Sequence, residues 1–319
     1  DNSSGEVART MATKYAATAK AAGKDELFIA ADQEEKGTQR FKSRHGFTDL
    51  VSAAQLGAAV AKHGSTRVCE LHAQITSREM SSAGLNMTLG TVSDIFTRDS
   101  GTPGMFRTRS IGSDSDVVAD CIQAMTTAYG KEGHVVFVTK HFPGLGGSSG
   151  NTDYGAAQTL PLATLQAQAL PPFRSAVSGG IPAVMVANAS VPGASTGPAS
   201  LSPAVVGAML RGDLHFTGLV LTDSLSGGAI SAAGYSVASA SVAAIEAGED
   251  MVLFGSTLTA TETALLSPAN VNATLQAIVS AITAAVSSGA LPASRLDAAV
   301  LDVLTAKGSL LGSCVPPTP

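Results

Sequence analysis

Short apolar runs of β-strand character alternate with longer helix-like stretches along most of this chain. Six such runs occur, at residues 26–32, 84–92, 134–142, 181–189, 218–224 and 249–255. Between most of them lie stretches with apolar residues at helical spacing, and two more helical stretches, 271–289 and 294–311, follow the last run. Strands and helices that alternate in this way build a parallel sheet covered by helices. The sequence therefore predicts an α/β protein made of successive βα units.

Six strands in series suit either an open doubly wound sheet or most of a closed barrel. A dinucleotide-binding sheet needs Gly-x-Gly-x-x-Gly after its first strand, whereas residues 31–37 read ADQEEKG. In a barrel the loops that follow the strands meet at one face and carry the site. Polar residues stand at the ends of the predicted strands, at Asp32, Asp94, Lys140, His141, Asn188 and Asp223. We therefore predict one TIM-type (β/α)8 barrel domain over residues 1–319.

Composition excludes two classes of partner. The chain has 20 Lys and Arg residues against 25 Asp and Glu residues, with no basic stripe, so nucleic acid is not an expected partner. Its longest apolar stretches break before the roughly 18 residues that a membrane span requires. We therefore expect neither a nucleic-acid partner nor a membrane span.

The three cysteines, Cys69, Cys121 and Cys314, lack the spacing of metal ligands. They allow one disulfide at most, and two buried thiols with a third cysteine near the tail are an equal alternative. No metal or organic cofactor is implied. The chain starts without an initiator Met and is rich in Ser, Thr and Ala with few charges, which predicts a secreted or cell-envelope protein.

The most informative segment is TKHFPGLGGSSGNTDYG, at residues 139–155. A strand delivers Lys140 and His141 side by side, and burial of this pair costs free energy unless a ligand or a carboxylate partners it. The Pro- and Gly-rich loop that follows carries Asn151 and Asp153. Two alternatives remain open: a surface loop whose Gly and Pro residues serve turns, and a glycine loop that holds phosphate.

A second segment, GLVLTDSLSGGA at residues 218–229, places Asp223 at the end of an apolar strand. At the mouth of a barrel its carboxylate would be partly shielded from water and could act as a nucleophile. The alternative is that Asp223 caps the helix that begins near Ser226.

These segments resemble a known family. KHFPG at 140–144 precedes a loop of small residues, ADQE stands at the end of an early predicted strand, and VLTDSL stands at the end of a late one. Two further motifs, RTRS at 107–110 and AGEDMVL at 247–253, also occur in the order along the chain that the family shows. Together with the terminal SRLDAAVLDVLTAKGSL they resemble glycoside hydrolase family 3, in particular its single-domain β-N-acetylglucosaminidase branch. The resemblance implies a (β/α)8 barrel that cleaves terminal β-linked sugars, with retention of configuration, through a covalent glycosyl-aspartate.

The resemblance also implies roles for particular residues. Asp223 matches the nucleophile, and the residues that match the family's contacts to sugar hydroxyls are Asp32, Arg109, Lys140 and His141. A retaining hydrolase also needs a proton donor near the leaving oxygen. The positive charge of Lys140 nearby would keep Asp223 ionised.

Two departures from the family pattern concern the site. The branch reads KHFPGHG and then Asp-Ser-His, where the His is the acid/base, whereas this chain has Leu145 in the first motif and Asn151-Thr152-Asp153 in the second. We hypothesise that Asp153 is the acid/base, which requires burial to raise its pKa. Asn188 stands where the branch often has His, and we count it as a candidate substrate-binding residue that leaves the choice between N-acetylglucosamine, glucose and another sugar open.

Three hypotheses follow. The leading one is an exo-acting retaining β-glycosidase that releases terminal sugars, N-acetylglucosamine first, from a small carbohydrate substrate. The others are a catalytically impaired sugar-binding protein, and a lyase or isomerase that uses Lys140 as a Schiff base. The family barrel has two strands before ADQE, and residues 1–26 contain no convincing strand, so we expect that the chain lacks an N-terminal segment with at least the first strand.

Overall fold

The computed structural model describes residues 4–97, 107–256 and 259–311, with side chains up to residue 308. The helices are α1 Gly5–Ala21, α2 Ala53–His63, α3 Arg67–Ser82, α4 Ser115–Glu132, α5 Leu162–Thr164, α6 Leu170–Ser178, α7 Gly228–Ala232, α8 Val237–Ala247, α9 Ala260–Leu265, α10 Pro268–Ser288 and α11 Ala293–Leu311. The strands are β1 Ala30–Ala31, β2 Met87–Thr88, β3 Val136–Phe142, β4 Ala183–Val186 and β5 Leu219–Thr222. Short 3-10 turns cover Lys36–Thr38, Ser43–His45 and Ala199–Leu201, and π-helical segments cover Leu165–Ala169 and Ala204–Asp213.

The five strands form one parallel sheet in the order β1-β2-β3-β4-β5. Ala30 pairs with Met87, Met87 with Val136, and Ala183 with Leu219. The predicted parallel α/β architecture is therefore confirmed. Within the described residues β1 is paired on one side only, so the structure shows the sheet without its closure into a barrel.

The sixth predicted strand, at residues 249–255, is shorter than expected. Met251 forms a single bridge with Leu221, and the backbone N–H of Leu225 donates to the Leu253 carbonyl at 2.7 Å. The N–H of Leu253 donates to the hydroxyl of Thr222 at 3.0 Å. Because a side chain takes up that donor, the regular ladder ends there, and the segment flanks β5 without forming a full strand.

Successive residues of the buried strands point to opposite faces of the sheet. One face carries Met87, Val136, Val138, Ala183, Met185, Leu219 and Leu221, which form one apolar cluster with Ala306 of α11. The other face packs against the surrounding helices in a larger cluster that includes Phe137, Val184 and Val220. Helix α11 thus packs against the face of the sheet that carries Met87 and Val136, because Val303 and Ala306 supply apolar side chains there.

Several helices begin or end at residue types that favour these positions. Ser52 and Gln55 form a capping box at the start of α2, and Asp114 caps α4 by accepting from the next turn. Gly248 ends α8 at a φ of 118°, a left-handed conformation that glycine adopts readily. The segment before the sheet, in which the sequence shows no convincing strand, forms helix α1.

A disulfide joins α3 to α4. Cys69 and Cys121 are bonded, with 5.5 Å between their Cα atoms, and both are fully buried. This is the single disulfide that the sequence allows, and the alternative of two buried thiols is wrong. Cys314 lies outside the described residues.

Helix α10 departs from the expectation that no stretch could span a membrane. Its 21 residues include no charged side chain, and by length and composition alone it could cross a bilayer. It packs against α8 and α9, and only Ile278 of α10 is buried. Length and apolar composition are the features that it shares with a membrane span.

Candidate active site

A cavity of about 300 Å³ opens where the carboxyl ends of the strands meet. Six of the seven predicted site residues line it: Asp32, Arg109, Lys140, His141, Asp153 and Asp223. These residues come from separate segments of the chain, which the parallel sheet brings to one edge. The cavity falls within the size range of small-molecule sites.

Lys140 lies at the centre of a buried charge network. Its Nζ is 2.8 Å from Oδ1 of Asp32 and 2.8 Å from Oε1 of Glu34. The guanidinium of Arg109 donates two hydrogen bonds to the same Glu34, at 2.8 Å each. The carboxylates therefore provide the partners that burial of Lys140 requires.

The pKa values of this network are set by opposing effects. Burial alone would raise the pKa of Glu34, but the charges of Lys140 and Arg109 outweigh it and hold that pKa well below its usual range. Burial alone would lower the pKa of Lys140, but Asp32 and Glu34 raise it. A cationic Lys140 is not a free amine nucleophile, so the network disfavours the Schiff-base hypothesis.

His141 is fixed by a second buried carboxylate. Its Nδ1 lies 2.7 Å from Oδ2 of Asp94, which is fully buried. The other oxygen of Asp94 accepts from the backbone N–H of Leu145 at 2.6 Å, and the Ser110 hydroxyl donates to the Asp94 carbonyl. Asp94 therefore orients the imidazole and also secures the start of the loop after β3.

Asp223 follows β5 and lies half-buried in the cavity wall. Its N–H donates to the Val186 carbonyl at 2.9 Å, and its Oδ1 accepts from the N–H of Ser224 at 2.7 Å. The alternative in which Asp223 caps the next helix is wrong, because α7 begins at Gly228 and its N-cap is Gly227. The carboxylate is thus available to the cavity.

Asp153 lies on the loop that contacts the start of α7. The N–H of Gly228 donates to the Asp153 carbonyl and the N–H of Ala229 to the Thr152 carbonyl, both at 2.9 Å. A side-chain carbon on Gly228 would lie 2.5 Å from the backbone of Tyr154, so this close approach requires glycine. The contact anchors the Asp153 loop beside the turn that follows Asp223.

The environment of Asp153 favours its protonated form. Burial, which has the largest effect, and the charges of Asp223 and Glu262 raise the pKa of Asp153, whereas His141 and a hydrogen bond with Asn151 lower it, and the net result is a pKa of about 6. Asn151, which takes the place of the family's Asp, accepts from the N–H of Asp153 at 2.8 Å. The pKa shift is the one that the acid/base hypothesis requires.

Asn188 is the predicted site residue that the cavity lining does not include. Its amide donates to the carbonyl of Ser224 at 2.7 Å and accepts from the hydroxyl of Ser200 at 2.7 Å. The side chain is buried between two loops, because its strand-end position faces the turn after β5. Its contacts therefore support that turn.

Sequence reasoning did not assign Glu34, Ser224 or Glu262 to the site. Glu34 stands two residues after Asp32 in ADQE, and Ser224 directly follows Asp223, so proximity to a predicted residue was the available signal. Glu262 lies on α9, far along the chain, with no motif around it. The fold alone brings it near the cavity.

A larger cavity, of about 600 Å³, lies beside Tyr235 and residues 193–203. No Asp, Glu, Lys, Arg or His is among its described lining residues, whereas the predicted acid and nucleophile, Asp153 and Asp223, line the smaller cavity. In the part of the chain that the structure describes, no group of three His, Cys, Asp or Glu side chains could hold a metal ion.

Comparison with known proteins places the chain in a family. The model of the glycosyl hydrolase family 3 N terminal domain matches residues 2–306. A beta-hexosaminidase from Xanthomonas oryzae pv. oryzae is 31% identical over 248 residues, which cover 77% of this chain and 72% of that protein.

Solved structures agree with this match. A family 3 beta-N-acetylglucosaminidase from Paenibacillus sp. has a TM-score of 0.85 at 27% identity, covering 97% of this chain and 55% of its own, so this chain spans about half of that protein. A beta-N-acetylhexosaminidase from Beutenbergia cavernae has a TM-score of 0.78 at 28% identity, covering 94% of this chain and 84% of its own. The resemblance that the motifs indicated is confirmed, and the chain belongs to glycosyl hydrolase family 3.

Proposed function

We propose that this chain is an exo-acting retaining β-glycosidase that hydrolyses terminal β-linked N-acetylglucosamine. The observation that carries the proposal is that Asp153 and Asp223 line one cavity while the pKa of Asp153 is raised to about 6. Environments that separate two carboxyl groups in pKa assign one as acid and the other as nucleophile. The hexosaminidase names of the relatives support the choice of sugar.

In the first step the Asp223 carboxylate attacks the anomeric carbon and the glycosidic bond breaks. The leaving oxygen takes the proton of Asp153, and the sugar is left as an ester of Asp223. In the second step water attacks the same carbon, the Asp153 carboxylate accepts a proton from that water, and the ester bond breaks. Two displacements at one carbon release the sugar with its original configuration.

The other charged side chains that line the cavity would hold the sugar. Arg109, Lys140, Asp32 and His141 present donors and acceptors that suit sugar hydroxyls. The Glu34 and Asp94 contacts fix three of these side chains before the substrate arrives. Side chains that are already fixed around one sugar ring suit an enzyme that removes a terminal sugar residue. The chain contains no Trp, so it has no indole rings that could line a long cleft and stack on several sugars.

Three further assignments belong to this proposal. The parallel sheet would be part of a (β/α)8 barrel, and residues 1–319 would form one domain. A secreted or cell-envelope location is supported by the Cys69–Cys121 disulfide, since disulfides persist in oxidising compartments.

The replacement of the family's Asp-Ser-His triplet favours a second candidate, a sugar-binding protein with impaired catalysis. In that case the cavity would bind N-acetylglucosamine without turnover between pH 4 and 8. A β-glucosidase specificity is a variant of the first candidate, since Asn188 is not among the described residues that line the cavity.

A panel of nitrophenyl glycosides, including N-acetylglucosaminide and glucoside, tests the proposal. We expect the wild type to turn over the N-acetylglucosaminide fastest, with NMR showing the β-anomer as the first product. Asp223→Ala should lose turnover, while Asp213→Ala, at an exposed aspartate, should keep it. Sugar binding without turnover by the wild type would select the second candidate.

A further inference from the structure

Glu262 is a buried acidic residue on the short helix α9, with a side chain 1% exposed. Its Oε1 accepts from the hydroxyls of Ser224 and Ser226, at 3.3 Å each, and its Oε2 accepts from the Thr259 hydroxyl at 3.0 Å. Among the described residues, no Lys, Arg or His forms an ion pair with it. Glu262 also stands in the first turn of α9, where its N–H donates to the Thr259 hydroxyl at 3.2 Å, so its carboxylate connects the start of that helix to Ser224 and Ser226.

The hydrogen bonds of Glu262 reach two walls of the cavity. Ser224, which lines the cavity, donates its N–H to the Asp223 carboxylate at 2.7 Å. The hydroxyl of Ser226 accepts from the N–H of Gly255 at 2.9 Å, and Gly255 also lines the cavity. One carboxylate thus joins the turn after β5 to the segment after Met251.

We propose that Glu262 is a positioning residue of this active site, which holds the Asp223–Ser226 turn and the Gly255 wall in place through the two seryl hydroxyls. The inference rests on the proposed function and extends it to a residue that does not line the cavity. Glu262 acts through Ser224 and Ser226 and need not touch the sugar.

The charge of Glu262 also affects the pKa of Asp153, and this pKa can be measured. The charged groups that face Asp153 are Asp223 after β5, Glu262 on α9 and His141 at the end of β3; Asn151 contacts it from its own loop. Asp223 and Glu262 both raise the pKa of Asp153, and His141 lowers it. Removal of the Glu262 charge with its shape preserved should therefore lower the pKa of Asp153.

The substitution Glu262→Gln tests this effect because glutamine keeps an acceptor oxygen for the hydroxyls. The titration of Asp153, followed by NMR of ¹³C-labelled carboxyl groups and assigned with Asp153→Asn, should move to lower pH by about half a unit. Glu246→Gln, at an exposed position on α8, should leave the titration unchanged. An unchanged midpoint in Glu262→Gln overturns the proposal.

Kinetics test the positioning role. Glu262→Ala removes the acceptor, so we expect kcat to fall about 10- to 100-fold while KM changes less than threefold, because the carboxylate of Glu262 bonds to Ser224, Ser226 and Thr259 rather than to the proposed sugar-holding side chains. Wild-type kcat in a folded Glu262→Ala variant contradicts the role, and Glu262→Gln should recover most of the loss. If Glu262→Ala does not fold, the Glu262→Gln titration decides. That titration does not require turnover. If the wild type shows no turnover, the proposed function is overturned, but the Glu262→Gln titration still tests the role of Glu262.

Discussion

The ammonium of Lys140 lies 2.8 Å from Oε1 of Glu34, and the two side chains are 3% and 1% exposed. Asp32, which is 40% exposed, contacts the same ammonium from the solvent side. Glu34, the buried partner, fixes the position of the Lys140 ammonium. Asp32, the partly exposed partner, leaves that ammonium accessible for a contact with a ligand. The pair is therefore part of the scaffold and part of the sugar site.

Lys140→Met should test both roles. It leaves the carboxylates of Asp32 and Glu34 without their shared cation, so we expect the free energy of unfolding to fall by about 3–5 kcal/mol and kcat/KM to fall at least 100-fold. Chemical denaturation and aryl glycoside kinetics measure the two losses. Lys36→Met, which removes an exposed pair with Asp49, should cost less than about 1 kcal/mol. Equal stability losses in the two variants would contradict the account.

The pH dependence of activity follows from Asp153. A general acid must carry its proton, and the pKa of Asp153 is raised to about 6 by burial and by Asp223. We therefore expect kcat/KM to be highest below pH 6 and to fall about tenfold per pH unit above it.

Substrates with different leaving groups provide a control that tests whether Asp153 is the acid behind the pH profile of kcat/KM. Asp153→Ala should lose about 10²- to 10⁴-fold in rate on a poor leaving group, and far less on 2,4-dinitrophenyl glycosides, which depart without a proton. A loss of the same size on both substrates would show that Asp153 is not the acid.

Glu35 predicts a pH dependence of stability. Burial, with a contribution from Glu34, raises the pKa of Glu35 from 4.5 to about 7. Between these values the folded chain keeps a proton that the unfolded chain releases, so the free energy of unfolding falls as the pH rises.

Glu35→Gln measures the size of this term. From pH 4 to pH 8 the wild type should lose about 3 kcal/mol relative to Glu35→Gln. Urea denaturation across this range gives the difference. Glu246→Gln should follow the wild type, and parallel curves for wild type and Glu35→Gln would refute the assignment.

The disulfide between Cys69 and Cys121 should stabilise the chain. It closes a loop across a sequence separation of 52 residues, and constraint of the unfolded chain over such a loop is worth about 4 kcal/mol. The double variant Cys69→Ala, Cys121→Ala should lose most of this in denaturation, and reduction of the wild type should lower its Tm similarly. A loss below about 1 kcal/mol would contradict the prediction.

The sequence could predict which side chains come together in the site, because the parallel arrangement of the strands brings them together. Asp32, Lys140, His141 and Asp223 each follow an apolar run, and parallel strands bring such positions to one edge. The position of Asp153 in the motif predicts that it belongs to the site, and the structure places it in the lining of the same cavity.

Other features could not be predicted because they depend on side-chain direction. Asn188 also ends a strand, yet its amide faces the backbone of Ser224. The sixth strand shortens to a bridge because the Thr222 hydroxyl takes up the N–H of Leu253. Glu262 enters through a helix far along the sequence, and no local pattern indicates that its carboxylate reaches Ser226.

Trapping the covalent intermediate tests whether Asp223 is the nucleophile. The fully folded chain is incubated with a 5-fluoro glycosyl fluoride of the sugar that it cleaves fastest, digested, and analysed by mass spectrometry. We expect loss of fluoride and one sugar added to the peptide that contains Asp223, with no adduct in Asp223→Asn. An adduct on any other residue, or turnover of the sugar without an adduct on Asp223, would contradict this role of Asp223.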